Sequence, residues 1–365
     1  MKSISLQNGE GYYGKAESQM IAGIAILLMI WHHLFSYPNW LIDGISVDSV
    51  LGKYVNYIVW LTARIGNICI YIFAFQSGYS IYQRSDLYDT ARKRVARIFS
   101  FLFSYWFVCI FFWVIGWLFN EKLPTPSAAI LNMFGLEVGF YTDWMNVCFA
   151  WYVLYYILLV AAYPILNRCF RAKSPLLVSL SAIGCLCVLL ALSYYGVAGY
   201  WTPFAASLMG IFTSKYRLFE YLNNALNKYF KRIWFCLLIL GAMILVRIIL
   251  LYISSHFYYN SLFAVFASVC EGLIAFALIF ALISLMNNIC KPWLSRILCF
   301  FGGISMFLWF LHSILFTGSR FLQPYIYFSG EPIVIFLTTL LVFVPIAIMF
   351  RLFAKSLRRL NFLNF

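Results

Sequence analysis

Apolar residues run for about twenty positions at a time along this chain, and short polar stretches carrying most of its Lys and Arg separate the runs. Roughly 20 apolar residues are what a helix needs to cross the hydrocarbon core of a bilayer. Ten runs read as spans: 19–36, 54–83, 98–119, 146–166, 175–194, 198–214, 233–254, 261–286, 297–318 and 332–354. The second is too long for one straight crossing, so its first turns, Tyr54 to Arg64, are expected to lie along the membrane interface. The pattern predicts an all-α, polytopic integral membrane protein, with 1–365 forming a single transmembrane domain. No small-residue cleavage site follows the apolar run that starts near Gln19, which is therefore read as a span and not as a signal peptide.

Composition agrees with this reading. The chain is 64% hydrophobic and 10% charged, whereas a soluble domain lies nearer half and a quarter. A net charge of +14 would point to nucleic acid in a soluble protein. Here the charge sits in short loops between apolar runs, so it is read as topology and nucleic acid is not expected as a partner. Of the 26 Lys and Arg, 21 fall on the side of the N-terminus, only Lys53, Lys122 and Arg320 fall on the other, and Arg64 and Arg247 lie within spans. The positive-inside rule then places both termini in the cytoplasm. The ten cysteines are scattered and show neither metal-site spacing nor a disulfide framework, so they read as small hydrophobes and no metal is expected. Two halves related by an inverted repeat are not evident, which weighs against a secondary transporter.

The polar groups inside the spans carry the chemistry. "GIAILLMIWHH", Gly23 to His33, suits a membrane helix until it ends in two imidazoles, which lipid cannot satisfy. His33 lies 14 residues past Gln19, about 21 Å along the helix and beyond the midplane. His312 is at a similar depth in its own span, and Arg247 and Glu271 fall in the outer halves of theirs. Four such groups point to a shared polar cavity, or, for Arg247 and Glu271, to a pair that merely neutralises itself. His32 and His33 are about 100° apart on a helix, so one can face a cavity while the other packs.

Two further stretches stand out. In "ARKRVARIFSFLFSYW", Ala91 to Trp106, Arg94 and Arg97 are three apart and share a helical face just before the third span. They are either a topology anchor on anionic lipid or paired guanidinium forks for phosphate groups. In "FAFQSGYSIY", Phe73 to Tyr82, Ser77 and Gly78 allow close helix packing.

In order and spacing these stretches resemble the membrane-bound acyltransferase-three family, whose bacterial members acylate surface glycans. The carriers are "GIAILLMIWHH", "FAFQSGYSIY", "RVAR" from Arg94 to Arg97, "WYVLYY" from Trp151 to Tyr156, and "FGGISMFLWFLHSILF" from Phe301 to Phe316. One position departs: the family usually has Arg or Lys eleven residues before this histidine, where Ala22 stands, and Lys15 is two turns away.

The resemblance implies a multi-pass protein of the bacterial cytoplasmic (inner) membrane that takes acyl-coenzyme A, most often acetyl-coenzyme A, from the cytoplasm. The acyl group would pass to a hydroxyl of an extracytoplasmic glycan, as in polysaccharide O-acetylation. It implies donor contacts at Lys93, Arg94, Arg97, Ser77, Tyr79 and Trp151. His33 would be general base on the acceptor hydroxyl or a transient acyl carrier, with Glu271 and His312 orienting the imidazole or contacting the acceptor. Membrane lipids and a homo-oligomer remain open as partners. The alternatives are a transporter or flippase for a lipid-linked glycan, and an acyltransferase-like binding domain disabled by Ala22.

Overall fold

The computed structural model describes residues 12–36, 53–136, 151–171, 184, 203–229, 232–257, 261–315 and 322–359. Among the described residues every regular element is helical. The helices are α1 (Lys15–Phe35), α2 (Lys53–Gly66), α3 (Cys69–Gln83), α4 (Ala91–Leu118), α5 (Pro126–Met133), α6 (Trp151–Arg171), α7 (Phe204–Tyr216), α8 (Leu218–Tyr229), α9 (Arg232–Phe257), α10 (Ser261–Ile289), α11 (Pro292–His312), α12 (Gln323–Ile326) and α13 (Pro332–Arg359).

Among the described residues, eight stretches are long and apolar enough to cross a membrane: Lys15–Phe35, Tyr57–Gln83, Ala91–Leu118, Tyr152–Phe170, Ile233–Ile253, Phe266–Asn288, Pro292–Leu315 and Pro332–Ser356. They match eight of the ten expected spans. The expected span 175–194 lies outside the described residues apart from position 184. Of 198–214 only the part in α7 is described, a 13-residue helix. Large apolar side chains stand open on several spanning helices, Trp117 at 71% and Leu341 at 76% exposure. Water would penalise such surfaces and lipid does not.

The long second run is two helices. The Asn67 N–H turns back to the Arg64 carbonyl (3.3 Å) and α3 starts afresh at Cys69. The third span begins earlier than expected, because Thr90 caps α4 by accepting a hydrogen bond from the Lys93 N–H (3.3 Å). The 28 residues of α4 extend about 42 Å, against a hydrocarbon core of about 30 Å. Arg92, Lys93, Arg94 and Arg97 are therefore part of the helix, in its first two turns.

Contacts divide the chain into two compact units. One comprises 1–27, 68–84 and 166–303, and the other 28–67, 85–165 and 304–365. The first is closed by small residues. A methyl group on Gly78 of α3 would overlap the Ser207 carbonyl of α7, and one on Gly210 of α7 would overlap the Phe75 carbonyl of α3. The Ser207 hydroxyl donates to the Ala74 carbonyl (2.6 Å). Backbones this close gain dispersion contacts that lipid cannot supply. Gly78→Ala is expected to cost about 1–3 kcal/mol, as other overpacking substitutions do. Gly241→Ala on α9, where an added methyl meets nothing within 4 Å, should gain about 0.5–1 kcal/mol. Thermal unfolding of the two variants side by side checks the contrast, and equal midpoints would remove the packing role of Gly78.

The second unit is held by aromatic contacts and one histidine. Phe107 of α4 stacks on Phe353 of α13 (4.3 Å between centroids) and Tyr105 of α4 meets Phe310 of α11 (5.1 Å). The α2 helix lies close against α1, because Gly66 leaves room for the Leu28 carbonyl, which a methyl there would approach to 2.9 Å.

Candidate active site: a histidine pair and a basic helix start

Within the second unit the end of α1 brings His33 against His312, the last residue of α11, with ring centroids 4.6 Å apart. Both rings are buried. Each is oriented by its own helix: His33 Nδ1 bonds the Met29 carbonyl (3.0 Å) and His312 Nδ1 bonds the Trp309 carbonyl. A carbonyl oxygen only accepts, so Nδ1 carries the proton in both rings and Nε2 is the basic nitrogen. Trp309 is itself backed by Tyr152, whose ring lies 4.5 Å away. Tyr327, just past α12, donates its hydroxyl to the Leu34 carbonyl next to His33 (3.1 Å).

His32 faces elsewhere. Its Nδ1 lies 2.7 Å from the Ala63 carbonyl of α2 and 2.7 Å from the Ser36 hydroxyl. The two adjacent imidazoles are thus divided between α11 and α2, as their 100° separation on a helix requires.

The start of α4, in the same unit, is a worked set of contacts around the turn at 85–90. Lys93 Nζ pairs with Asp89 (3.0 Å) and donates to the Asp86 carbonyl (2.8 Å). That pairing holds the Asp89 carboxyl below its usual range, chiefly through the hydrogen bond from Lys93. Arg94 Nη1 donates to the carbonyls of Tyr88 (2.9 Å) and Asp89 (3.3 Å). The Arg97 guanidinium lies over the Tyr88 ring, 5.8 Å from its centroid. Tyr88 is buried against Tyr163 (5.5 Å). Tyr88, Asp89 and Tyr327 were not singled out from sequence. The one readable signal was Thr90, a good cap residue directly before a basic helical stretch.

The remaining expected residues fall as follows. Arg247 of α9 and Glu271 of α10 form a buried ion pair in the first unit. Ser77 donates to the Phe73 carbonyl of its own helix (2.9 Å). Tyr79 packs edge-on against Tyr13 (4.8 Å) and stacks on Phe219 (6.3 Å), also in the first unit. The Trp151 side chain lies outside the described residues. Among the described residues no group of three or more His, Cys, Asp or Glu is placed to hold a metal ion.

No curated protein and no solved structure matches the chain. A family profile described as an acyltransferase domain matches residues 21–352. The match begins in α1, twelve residues before His33, and ends in α13, so it takes in the histidine pair, the basic start of α4 and nearly every described helix. With its apolar spanning helices, this chain belongs to the acyltransferase-three family of membrane acyltransferases.

Proposed function

We propose that this membrane acyltransferase moves an acetyl group from cytoplasmic acetyl-coenzyme A to a hydroxyl of an extracytoplasmic glycan. Both termini would then be cytoplasmic, as the Lys and Arg asymmetry of the loops favours. The observation that carries the reading is the His33–His312 pair, two tautomer-fixed imidazoles buried side by side between apolar spanning helices. Such a site suits proton transfer and has no other evident use in a membrane span.

The chemistry balances on His33 alone. Its Nε2 takes the proton of the acceptor hydroxyl as the oxygen bonds to the thioester carbonyl carbon. The carbon–sulfur bond then breaks, and the imidazolium returns the proton to the departing thiolate, leaving an ester and free coenzyme A. His312 positions the His33 ring. Arg97 contacts donor phosphates, while Lys93 and Arg94 hold the 85–90 turn that frames them.

Cells expressing the wild-type chain, the His33→Ala variant or neither provide the test. Extracted surface glycan should carry ester-linked acetyl groups only with the wild type. Equal O-acetyl content in all three would reject the reading. A change in the amount of exported glycan without a change in O-acetyl content would favour a flippase instead.

A further inference from the structure

The short segment around α12 bonds both helix ends that carry the histidine pair. His33 lies two residues before the end of α1, and His312 is the last residue of α11, followed by a 3-10 turn at Ser313–Leu315. The last carbonyls of a helix have no partner within it, so helix ends fray unless something else bonds them. Each ring is tied through Nδ1 to a carbonyl of its own helix, so each ring goes where its helix end goes. The separation of the two rings, 4.6 Å between centroids, therefore depends on how the two ends are joined.

Two side chains four positions apart, Gln323 of α12 and Tyr327 just past it, make that join. Tyr327 donates its hydroxyl to the carbonyl of Leu34, the residue after His33 (3.1 Å). Gln323 donates from Nε2 to the carbonyl of Leu315, three residues after His312 (2.6 Å). Side chains at i and i+4 share a helical face, and the Tyr327 N–H closes this turn on the Gln323 carbonyl (2.9 Å). The shared face is buried, with Ile326 between the two polar groups, whereas Pro324, Tyr325 and Phe328 are exposed. Pro324 fixes φ in the first turn. Gly330, at φ 70°, donates to the Tyr327 carbonyl (3.1 Å) where the chain turns towards α13. Satisfying stray carbonyls would explain a donor at any helix end, yet these two go to the ends that hold the paired imidazoles. We propose that Gln323 and Tyr327 are positioning residues, which hold the ends of α1 and α11 at the spacing that sets His33 against His312. Their part in catalysis rests on the acyl-transfer reading above, whereas the placement of the two rings does not.

Tyr327→Phe and Gln323→Met each remove one donor and keep the bulk. The first readout is magnetic resonance of the purified full chain in lipid nanodiscs with 15N-labelled histidine. The chain has four histidines, so their ring-nitrogen signals can be assigned by replacing them one at a time. Tyr327→Phe should shift the His33 signals and Gln323→Met those of His312, whereas Tyr325→Ala, on the exposed face, should leave both in place. The second readout is acetyl-coenzyme A turnover with de-acetylated surface glycan as acceptor. Misplacing a reacting group by about 1 Å can cost about 100-fold, so kcat should fall about 10- to 100-fold in each variant. KM for acetyl-coenzyme A should stay near that of the wild type, because the proposed donor contacts lie at the start of α4. Should one variant fail to fold, the other remains a complete test, since each removes a separate bond to a separate helix. Gln323→Asn, which keeps the amide on a shorter arm, serves if neither folds. Unmoved ring signals in folded variants, equal shifts in Tyr325→Ala, or shifted signals with unchanged kcat would overturn the positioning role. Shifted signals alongside a wild type that transfers no acetyl would instead reject the acyltransferase reading and keep the join.

Discussion

Replacing His33 with alanine should lower acetyl transfer by about 10²–10⁴-fold, the range for loss of a general base, while coenzyme A binding is kept. The expectation follows from where the two adjacent imidazoles point. His33 meets His312 and has its Nδ1 proton engaged by Met29, so Nε2 is left as the base. His32 bonds the Ala63 carbonyl and joins α1 to α2. His32→Ala should therefore leave turnover per folded molecule near that of the wild type. It should reduce stability by about 1–3 kcal/mol, the penalty for a buried carbonyl deprived of its donor. Acetyl-coenzyme A consumption and unfolding midpoints, measured on both purified variants, separate the roles. Wild-type turnover in His33→Ala would reject the catalytic assignment. If the wild type is itself inactive and Ala22→Arg restores it, the missing basic residue on α1 is the cause.

The second large effect is expected at the start of α4. Removing a charge-assisted contact to phosphate costs about 1.5–3 kcal/mol, or about 10- to 150-fold in Kd. Arg97→Ala should weaken coenzyme A binding by that factor through direct loss of a contact. Arg94 reaches donor binding through the turn it holds at Tyr88 and Asp89. Arg94→Ala should therefore also loosen the 85–90 backbone, seen as faster amide hydrogen exchange there, which Arg97→Ala should not do. Calorimetry with coenzyme A reads the first effect and exchange mass spectrometry the second. Unchanged binding in the Arg94→Ala/Arg97→Ala double variant would leave these residues as a lipid anchor only.

The spanning helices and His33 were legible in the sequence for a simple reason. A membrane admits few polar residues, so a long apolar run and any imidazole inside it are both conspicuous. The pairing of Arg247 with Glu271 was open to the same reasoning, because each buried charge demands a partner. What was not legible depends on side-chain direction or on contacts distant in sequence. Arg94 and Arg97 share a helical face, yet one bonds backbone carbonyls and the other lies over Tyr88. Spacing alone does not distinguish these uses. The donor contacts implied for Ser77 and Tyr79 rest on resemblance. In the fold, Ser77 bonds its own helix and Tyr79 sits in an aromatic cluster beside the Gly78 crossing. The break between α2 and α3 falls at Asn67 and Ile68, a few residues past Arg64, where the length of the run already placed the end of its first part.

The interleaving of the two units has a consequence for how the protein is made. The unit that holds the histidine pair needs residues 28–67, 85–165 and 304–365, and the other needs 166–303 as well as its earlier segments. In order of synthesis the first unit gains its last segment only at residue 303, and the second unit gains its last segment only after that. His33 enters the bilayer early and waits for His312 through the synthesis of about 280 residues. During that interval its imidazole must be tolerated in transit, by the insertion machinery or by water at the membrane surface. Premature termination before residue 304 should thus yield a chain that inserts but never acquires the histidine pair, an intermediate for membrane quality control to remove.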